Sequence, residues 1–340
     1  MSRNKTEKKL FFSKTLDFLD RYLPDQAMKS TNTIETYRDA LTVFRRYVTD
    51  TLHLSIRSFG FEACTHDLLL DYLGFLNKNG NAATTCNNRL AAVRAYLWYA
   101  ADGDISLQSV ALAASHVPFL KIPKLTREII EEEDLSALLS APKNTKAGKR
   151  DQMLLILLYD SAIRVSELLS LDARSINLKA AIPYIRVYGK GDKERIVAIT
   201  DMTASHLKEY MKIYHPCDEA ECPLIYTVIK GHKDRMSVGN VERIIKKYAE
   251  QIRPDHPNLP KSCYPHMVRR TRATNLYQDG TELELISRIL GHSSTETTRI
   301  YATPSVEMMR KAMETGRLAT DEKQEWLDDE AEMARLCGLR

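Results

Sequence analysis

The chain from residue 164 onward contains the residue types that phosphodiester chemistry without a metal requires. Two arginines can hold the non-bridging phosphate oxygens, because guanidinium groups bind such oxygens in a bidentate manner. The leaving 5′ oxygen needs a proton donor, and a histidine can accept the proton that the attacking group loses. A tyrosine can attack phosphorus and become covalently attached, and a phenol leaves more readily than an alkyl alcohol, so the bond is easily reversed. The candidates are Arg164, Lys190, His266, Arg269, His292 and Tyr301.

These candidates lie in four short segments. Residues 157–168 read LLYDSAIRVSEL, residues 188–195 read YGKGDKER, residues 265–269 read PHMVR, and residues 290–301 read LGHSSTETTRIY. Each segment alone also fits a structural explanation, such as a hairpin turn with a solvated lysine or an ion pair on a helix surface. In this order and together, they resemble the motifs of the tyrosine recombinase (phage integrase) family. The resemblance is strong over about residues 160–303 and looser before them.

The resemblance implies a role for each candidate. Arg164 and Arg269 would hold the scissile phosphate and neutralise the charge of the pentacoordinate state. Lys190 would protonate the leaving 5′ oxygen. His266 would accept a proton from the nucleophile or orient the phosphate, and His292 would hydrogen-bond a non-bridging oxygen.

The nucleophile implied by the resemblance is Tyr301, which would form a 3′-phosphotyrosine link, with Glu167 supporting an arginine or His266. No metal ion or nucleotide cofactor is implied, because the energy of the broken bond is kept in that link. Only Tyr301 follows a Gly-His pair at the family's distance. The alternative nucleophiles are Tyr248, Tyr264 and Tyr277.

Three positions depart from the family's pattern. Ala162 stands where glycine is usual, Arg270 where a second histidine is common, and Arg272 where an aromatic residue is frequent. No departure removes a catalytic candidate. Arg270 and Arg272 add positive charge near the site, although ion pairs on a helix surface explain them equally well.

Hydrophobic periodicity predicts a mainly α-helical protein with one small antiparallel β-sheet. The resemblance implies a helical, SAM-like core-binding domain at residues 1–113 and a catalytic domain at 127–303. The segment 114–126 contains two prolines and little periodicity, and is predicted to be the linker. Alternating apolar residues around the Gly-Lys-Gly turn predict a hairpin. Residues 304–340 are predicted to form a helical tail.

Arginines on the outward faces of the predicted helices are candidates for contacts with the DNA backbone, which guanidinium groups suit geometrically. The alternative is an ordinary solvated helix face. The net charge of the chain is only +4, so the total charge adds little support. The predicted DNA-binding residues are Arg38, Arg45, Arg89, Arg94 and Arg270.

The composition excludes several classes of protein. Apolar residues make up 44% and charged residues 28%, which is ordinary for a globular protein and excludes disorder as the main state. No apolar stretch is long enough to span a membrane or act as a signal peptide, so a cytoplasmic location is expected. The six cysteines are expected to be free thiols. His215, Cys217 and Cys222 match no four-ligand zinc pattern, and no metal site is predicted.

The tail differs from the rest of the chain in charge. Residues 302–340 contain six basic and nine acidic residues, a net of −3, which suits a protein partner rather than DNA. Val306, Met309 and Met313 form an apolar stripe that favours docking. In the family a terminal helix commonly docks into a neighbouring subunit, which implies a homotetramer on two DNA duplexes. The alternative is docking onto the chain's own domain.

The sequence therefore predicts a site-specific recombinase that acts on double-stranded DNA, in the integration or excision of a mobile element. Xer-type dimer resolution, a type IB topoisomerase and a DNA-binding protein of recombinase fold without cleavage are the alternatives. The target site and any need for a partner recombinase or accessory factor depend on groove contacts and DNA deformation, which no motif encodes.

Overall fold

The computed structural model describes residues 9–122, 128–189, 194–217, 220–292, 294–315, 330–336 and 338. The chain divides into two compact units, Met1–Thr126 and Arg127–Arg340. Helices dominate both units, and the strands form only small antiparallel sheets, which confirms the predicted fold class. None of the helices in these ranges is long and apolar enough to cross a membrane.

The first unit is a helical bundle around a core rich in aromatic side chains. Its helices are α1 (Thr15–Asp17), α2 (Thr31–Arg46), α3 (His66–Lys78), α4 (Ala83–Asp102) and α5 (Gln108–Ser115), with π-helical segments at Phe18–Gln26 and Tyr47–Thr51. The ring of Phe11 lies 5.2 Å from those of Phe44 and Tyr96, measured between centroids, and all three residues are buried. Such edge and tilted contacts add to the free energy of burial. They join α2 and α4, the helices that carry the predicted DNA-binding residues Arg38, Arg45, Arg89 and Arg94.

Part of the predicted linker packs against the first unit. Helix α5 continues to Ser115, and Val117 is buried in the core. The side chain of Asn87 accepts a hydrogen bond from the Leu120 N–H and donates one to the Leu120 carbonyl, at 2.8 and 2.9 Å. Breaking two partly buried hydrogen bonds costs free energy, so the chain as far as Leu120 is held by the first unit.

The second unit combines helices with two antiparallel sheets. Its helices are α6 (Glu132–Ser140), α7 (Lys146–Asp160), α8 (Val165–Ser170), α9 (Asp201–Tyr214), α10 (Val238–Ile252), α11 (Pro265–Gln278), α12 (Leu283–Leu290) and α13 (Glu296–Arg299). One sheet has the order β1 (Ile176–Asn177), β2 (Tyr184–Tyr188) and β3 (Glu194–Ala198); the other pairs β4 (Tyr226–Ile229) with β5 (His232–Arg235). Ile185 and Val187 point into the core, as the alternating pattern of the sequence predicts.

The tail contains helices α14 (Val306–Thr315) and α15 (Glu330–Leu336). Residues 316–329 of the predicted helical tail lie outside the described residues. Val306, Met309 and Met313 are all exposed on α14. The apolar stripe that the sequence predicts is therefore presented to solvent in the isolated chain.

Candidate active site

Arg164 lies where the chain turns from α7 into α8. Its backbone N–H donates to Glu167 Oε2 at 2.8 Å, and its Nη1 donates to Oε1 of the same carboxylate at 2.9 Å. An acidic side chain three residues into a helix commonly satisfies a backbone N–H at the helix start. The Arg-x-x-Glu spacing thus positions both side chains locally, and it leaves the side chain of Arg164 41% exposed.

Glu167 is buried and accepts two further hydrogen bonds from Arg195, at the start of β3. Arg195 Nη1 and Nη2 donate to Oε1 and Oε2 at 3.0 and 2.9 Å. Burial alone would raise the pKa of Glu167, but the hydrogen bonds from Arg195 and Arg164 outweigh it and hold the pKa at about 2. The motifs assign no role to Arg195, although its alternation with buried Val197 along β3 is a signal that it faces inward.

Arg269 lies on α11 and is only 1% exposed. Its Nη1 donates to the Ala162 carbonyl at 2.5 Å, and its Nη2 donates to the Leu290 carbonyl at 2.7 Å and approaches His292 Nε2 at 3.2 Å. Burial, and then the positive charge of Arg164, lower the pKa of Arg269 to about 10. The guanidinium remains charged at neutral pH and joins three segments that are distant in sequence.

Helix α12 ends against three arginines. Its last residues and the following glycine present consecutive carbonyls at Ile289, Leu290 and Gly291, which accept from Arg195 Nε at 3.4 Å, Arg269 Nη2 at 2.7 Å and Arg164 Nη2 at 3.3 Å. The last carbonyls of a helix have no partner within the helix and carry partial negative charge. Together with the Glu167 carboxylate, they allow three guanidinium groups to lie close together.

Ala162 explains why glycine is usual at this position. Its φ is 49°, in the left-handed region, and the residue is fully buried. This backbone geometry directs the Ala162 carbonyl toward Arg269. Alanine adopts the left-handed region at a cost of about 1 kcal/mol, so the departure from the family's pattern stores a small strain and leaves the arginine contact intact.

Ala162→Val is expected to destabilise the protein by roughly 2 kcal/mol or more, because a β-branched residue is strained at positive φ and the site has no room for added atoms. Ala162→Gly is expected to change the free energy of unfolding by less than about 1 kcal/mol, since strain relief offsets the lost methyl group. Urea denaturation of both variants measures the difference. A valine variant as stable as the wild type would contradict the left-handed geometry.

His292 follows the α12 C-terminus and is held from both ring nitrogens. Arg269 can only donate, so Nε2 of His292 is the acceptor and Nδ1 carries the proton, which it donates to Thr298 Oγ1 at 2.8 Å. Burial, and then the charges of Arg269 and Arg164, lower the pKa of His292 to about 4. His292 is therefore neutral at physiological pH.

The stability of the protein is expected to fall as the pH drops from about 6.5 toward 4. The folded-state pKa of His292, about 4, lies below its ordinary value of 6.5, so the unfolded chain binds more protons in this window and the contribution of His292 is fully present only above it. Denaturation at a series of pH values should show a shallower decline for His292→Gln than for the wild type. If stability declined with pH equally steeply in both proteins, a group other than His292 would control the loss of stability at low pH.

Tyr301 follows the short helix α13 and is 3% exposed. Its hydroxyl lies 3.5 Å from His266 Nε2, and its ring centroid lies 6.0 Å from that of His292. Tyr301 belongs to a small cluster of buried apolar residues that includes Ala162 and Leu290. The tyrosine therefore lies beside both predicted histidines and beside the residues that Arg269 binds.

The other tyrosines have different surroundings. Tyr248 donates to Asp151 Oδ2 at 2.9 Å, and burial followed by this bond raises the pKa of Tyr248 to about 12. Tyr264 lies against Arg270, and Tyr277 packs on the edge of the cluster around Tyr301. Within the described part of the chain, none of these three tyrosines forms a hydrogen bond with Arg164, Arg269 or His292.

Lys190 lies outside the described residues, as do residues 191–193. The strands on either side are well defined: Tyr188 of β2 pairs with Glu194 of β3. The hairpin predicted from the sequence is present, and Lys190 lies five residues before Arg195 in the chain.

Three of the predicted DNA-binding arginines lie on helices α2 and α4 of the first unit. Arg45 is exposed on α2. Arg38 pairs with Asp20 at 2.8 Å, and Arg89 donates to Asn81 Oδ1 at 2.8 Å. An exposed ion pair such as Arg38–Asp20 is weak and exchanges readily for other partners. Contact with phosphate remains a prediction for these three residues.

The other two predicted DNA-binding arginines make contacts within the protein. Arg94 donates from Nε to the Ala114 carbonyl at 2.8 Å and lies over the ring of Phe119, which anchors the segment after α5. Arg270 is buried and donates to the Glu128 carbonyl, next to the second unit's first described residues. The guanidinium of Arg270 is turned inward in this structure, and direct contact of Arg270 with DNA stays a prediction.

Residues 128–308 match the phage integrase family, and residues 16–103 match the N-terminal SAM-like domain of phage integrases. The first match alone covers more than half of the chain. The chain belongs to the phage integrase family and is a site-specific recombinase of the tyrosine class.

Relatives extend over most of the chain. Tyrosine recombinase XerD of Staphylococcus epidermidis is 29% identical over 286 residues, covering 83% of this chain and 91% of that protein. XerD of Staphylococcus aureus is 28% identical over 295 residues, covering 86% and 94%.

Solved structures share the fold. XerH recombinase bound to its difH substrate superposes with a TM-score of 0.62 at 22% identity, covering 82% of this chain and 78% of that chain. The Tn1549 transposon integrase in complex with transposon right end DNA gives 0.66 at 14% identity, covering 88% and 98%.

Proposed function

We propose that this recombinase cuts and rejoins double-stranded DNA by transesterification through Tyr301. The phenolic oxygen attacks the scissile phosphorus, the bond between phosphorus and the 5′ oxygen breaks, and a 3′-phosphotyrosine forms. A free 5′ hydroxyl then attacks phosphorus, and the tyrosine leaves with its proton restored. Each step exchanges one phosphodiester bond for another, so no nucleotide is consumed.

The observation that carries this proposal is the convergence of segments from across the second unit. Arg269 Nη2 lies 3.2 Å from His292 Nε2, and the Tyr301 hydroxyl lies 3.5 Å from His266 Nε2. Arg164 reaches the same turn through the Gly291 carbonyl. A phosphate in this arrangement would meet two guanidinium groups, a neutral imidazole and a tyrosine.

The roles of the individual groups follow from their chemistry. Arg164 and Arg269 hold the non-bridging oxygens, and each such contact contributes roughly 3 kcal/mol to the transition state. His266 accepts the phenolic proton, since it is exposed and next to the hydroxyl. His292 orients the phosphate, and Lys190 protonates the leaving 5′ oxygen.

The biological role that we propose is integration or excision of a mobile element, in the cytoplasm where cellular DNA lies. Xer-type dimer resolution is a second candidate, favoured by the resemblance to XerD proteins over more than 90% of their length. The two roles differ in the DNA that becomes attached to the enzyme. Ends of a repeated element would support the first role, and one fixed chromosomal site would support the second.

Pull-down of the tagged protein from its host under denaturing conditions tests the proposal. Wild-type protein is expected to retain covalently attached DNA, and sequencing that DNA identifies the site. DNA retained only under native washing would favour a DNA-binding protein without cleavage. Recombination assays with the purified protein and the recovered site decide whether a partner recombinase or accessory factor is needed. Relaxation of supercoiled DNA by monomers, without strand exchange, would indicate a topoisomerase.

We further propose that the enzyme acts as a homotetramer whose tail contacts a neighbouring subunit. Met309 and Met313 are exposed on α14, and burial of two such side chains contributes a few kcal/mol. Met309→Glu combined with Met313→Glu is expected to weaken tetramer formation on DNA by roughly tenfold or more. Analytical ultracentrifugation with DNA measures this, and Glu307→Gln on the same helix is the control.

If the double variant formed tetramers on DNA with the same affinity as the wild type, the proposed role of the tail would be contradicted. A lower stability of the free protein, with tetramers unchanged, would instead indicate that the tail docks onto its own domain.

A further inference from the structure

Arg195 lies at the site together with Arg164 and Arg269, but the sequence motifs give Arg195 no role. It begins β3, and its side chain is only 16% exposed. The hairpin partner of Arg195 is Val187 on β2, whose side chain is fully buried. The register of the sheet therefore directs Arg195 toward the core of the unit, where α8 and α12 meet.

Arg195 makes two kinds of contact at that junction. Its Nη1 and Nη2 bind both oxygens of Glu167 at 3.0 and 2.9 Å, and its Nε donates to the Ile289 carbonyl at 3.4 Å. A planar guanidinium fixes a carboxylate in position and orientation, which a lysine ammonium cannot do. The same side chain thus ties α8 to the C-terminus of α12.

The backbone next to Arg195 is adapted to its close approach. A Cβ at residue 291 would lie 2.8 Å from Arg195 Cζ, and Gly291 has a φ of 63°. Only glycine satisfies both conditions without strain. Gly291 leads directly to His292, so the position of Arg195 and the path of the chain into His292 depend on each other.

Glu167 connects Arg195 to Arg164. Its carboxylate accepts from the backbone N–H and from Nη1 of Arg164 while Arg195 occupies the other lone pairs. Without Arg195 the buried carboxylate would lose its bidentate partner and could rotate or become protonated. Arg164 would then lose its orientation although its own side chain is unchanged.

We propose that Arg195 is a positioning residue that holds Glu167 and the α12 C-terminus together, and thereby sets the geometry of Arg164 and His292 around the phosphate. The inference rests on the proposed function, because it concerns the phosphate clamp of that reaction. Arg195 itself does not touch the reacting atoms.

The test is single-turnover cleavage of a duplex with the DNA sequence recovered from the covalent adduct. Arg195→Gln is expected to reduce the cleavage rate at saturating DNA by roughly 10- to 100-fold, because small misplacements of a clamp have effects of this size. DNA affinity should stay within about threefold of the wild type, since the residue is mostly buried. Arg195→Lys keeps the positive charge but not the bidentate contact, so it should recover only part of the cleavage rate. If Arg195→Gln does not fold, the same comparison is made with Arg195→Lys.

A second substrate separates the phosphate clamp from leaving-group protonation. Sulfur in place of the 5′ bridging oxygen leaves as a thiolate, whose conjugate acid has a pKa of about 8.5, so it needs no proton donor. Lys190→Ala should be rescued by this substrate, whereas Arg164→Lys and Arg195→Gln should not. Rescue of Arg195→Gln would overturn the inference, because it would place the effect on protonation of the leaving group.

Coupling between Arg195 and Glu167 is the remaining readout. If Arg195 acts through the carboxylate, the double variant Arg195→Gln with Glu167→Gln should be little slower than Glu167→Gln alone. Arg174→Gln, a surface arginine of the same unit, is the matched control. The inference would be refuted if the two substitutions reduced the cleavage rate independently, so that their effects multiply, or if Arg195→Gln cleaved within threefold of the wild-type rate. Either result would leave the proposed function intact. A wild-type protein that forms no covalent adduct would refute the proposed function itself.

Discussion

Tyr301→Phe is expected to abolish covalent attachment to DNA, with a loss of cleavage of roughly 10⁴-fold or more, because no other group supplies the nucleophile. The fold should survive. The hydroxyl makes one long contact of 3.5 Å with His266, and losing such a contact costs less than about 1 kcal/mol. DNA affinity should therefore remain close to that of the wild type. Denaturing gels of protein mixed with the recovered DNA site measure the adduct.

Tyr277→Phe is the matched control for that experiment, because Tyr277 packs at the edge of the same cluster. It should form the adduct at a rate close to that of the wild type. Adduct formation by Tyr301→Phe, or its loss in Tyr277→Phe alone, would assign the nucleophile to another tyrosine.

Arg269→Lys is expected to reduce cleavage by roughly 10²- to 10³-fold and to destabilise the protein at the same time. Arg269 is almost completely buried and satisfies the carbonyls of Ala162 and Leu290. A lysine cannot reach both acceptors in that geometry, and an unsatisfied buried carbonyl costs about 1–3 kcal/mol. Cleavage rates and urea denaturation measure the two effects separately.

Arg164→Lys provides the comparison, since Arg164 has the same proposed role but is 41% exposed in its side chain. Arg164→Lys should reduce the cleavage rate about as much as Arg269→Lys does, whereas it should reduce the free energy of unfolding clearly less. Equal losses of stability in both variants would mean that burial does not distinguish the two arginines in solution.

Neighbouring residues on α11 illustrate what the sequence could and could not predict. His266 and Arg269 are three residues apart, so helical periodicity brings them to nearby positions, and the His-x-x-Arg spacing is sufficient to predict this. Arg270 is the next residue and has the same chemistry, yet its partner is the Glu128 carbonyl. The sequence contains no sign of this contact, because residue 128 is 142 positions away.

The sequence by itself determined the features that depend on local spacing: the helices and the hairpin, the Arg164–Glu167 pair at a helix start, and the order of the motif segments that predicts the recombinase chemistry. Only the tertiary structure decided which groups lie opposite one another. The three arginines at the end of α12 come from α11, β3 and the start of α8. The carbonyl of Ala162, whose backbone is left-handed, accepts from Arg269, which is 107 positions away. Periodicity indicates which face of an element is buried, but the partner of that face is set by the packing of distant segments.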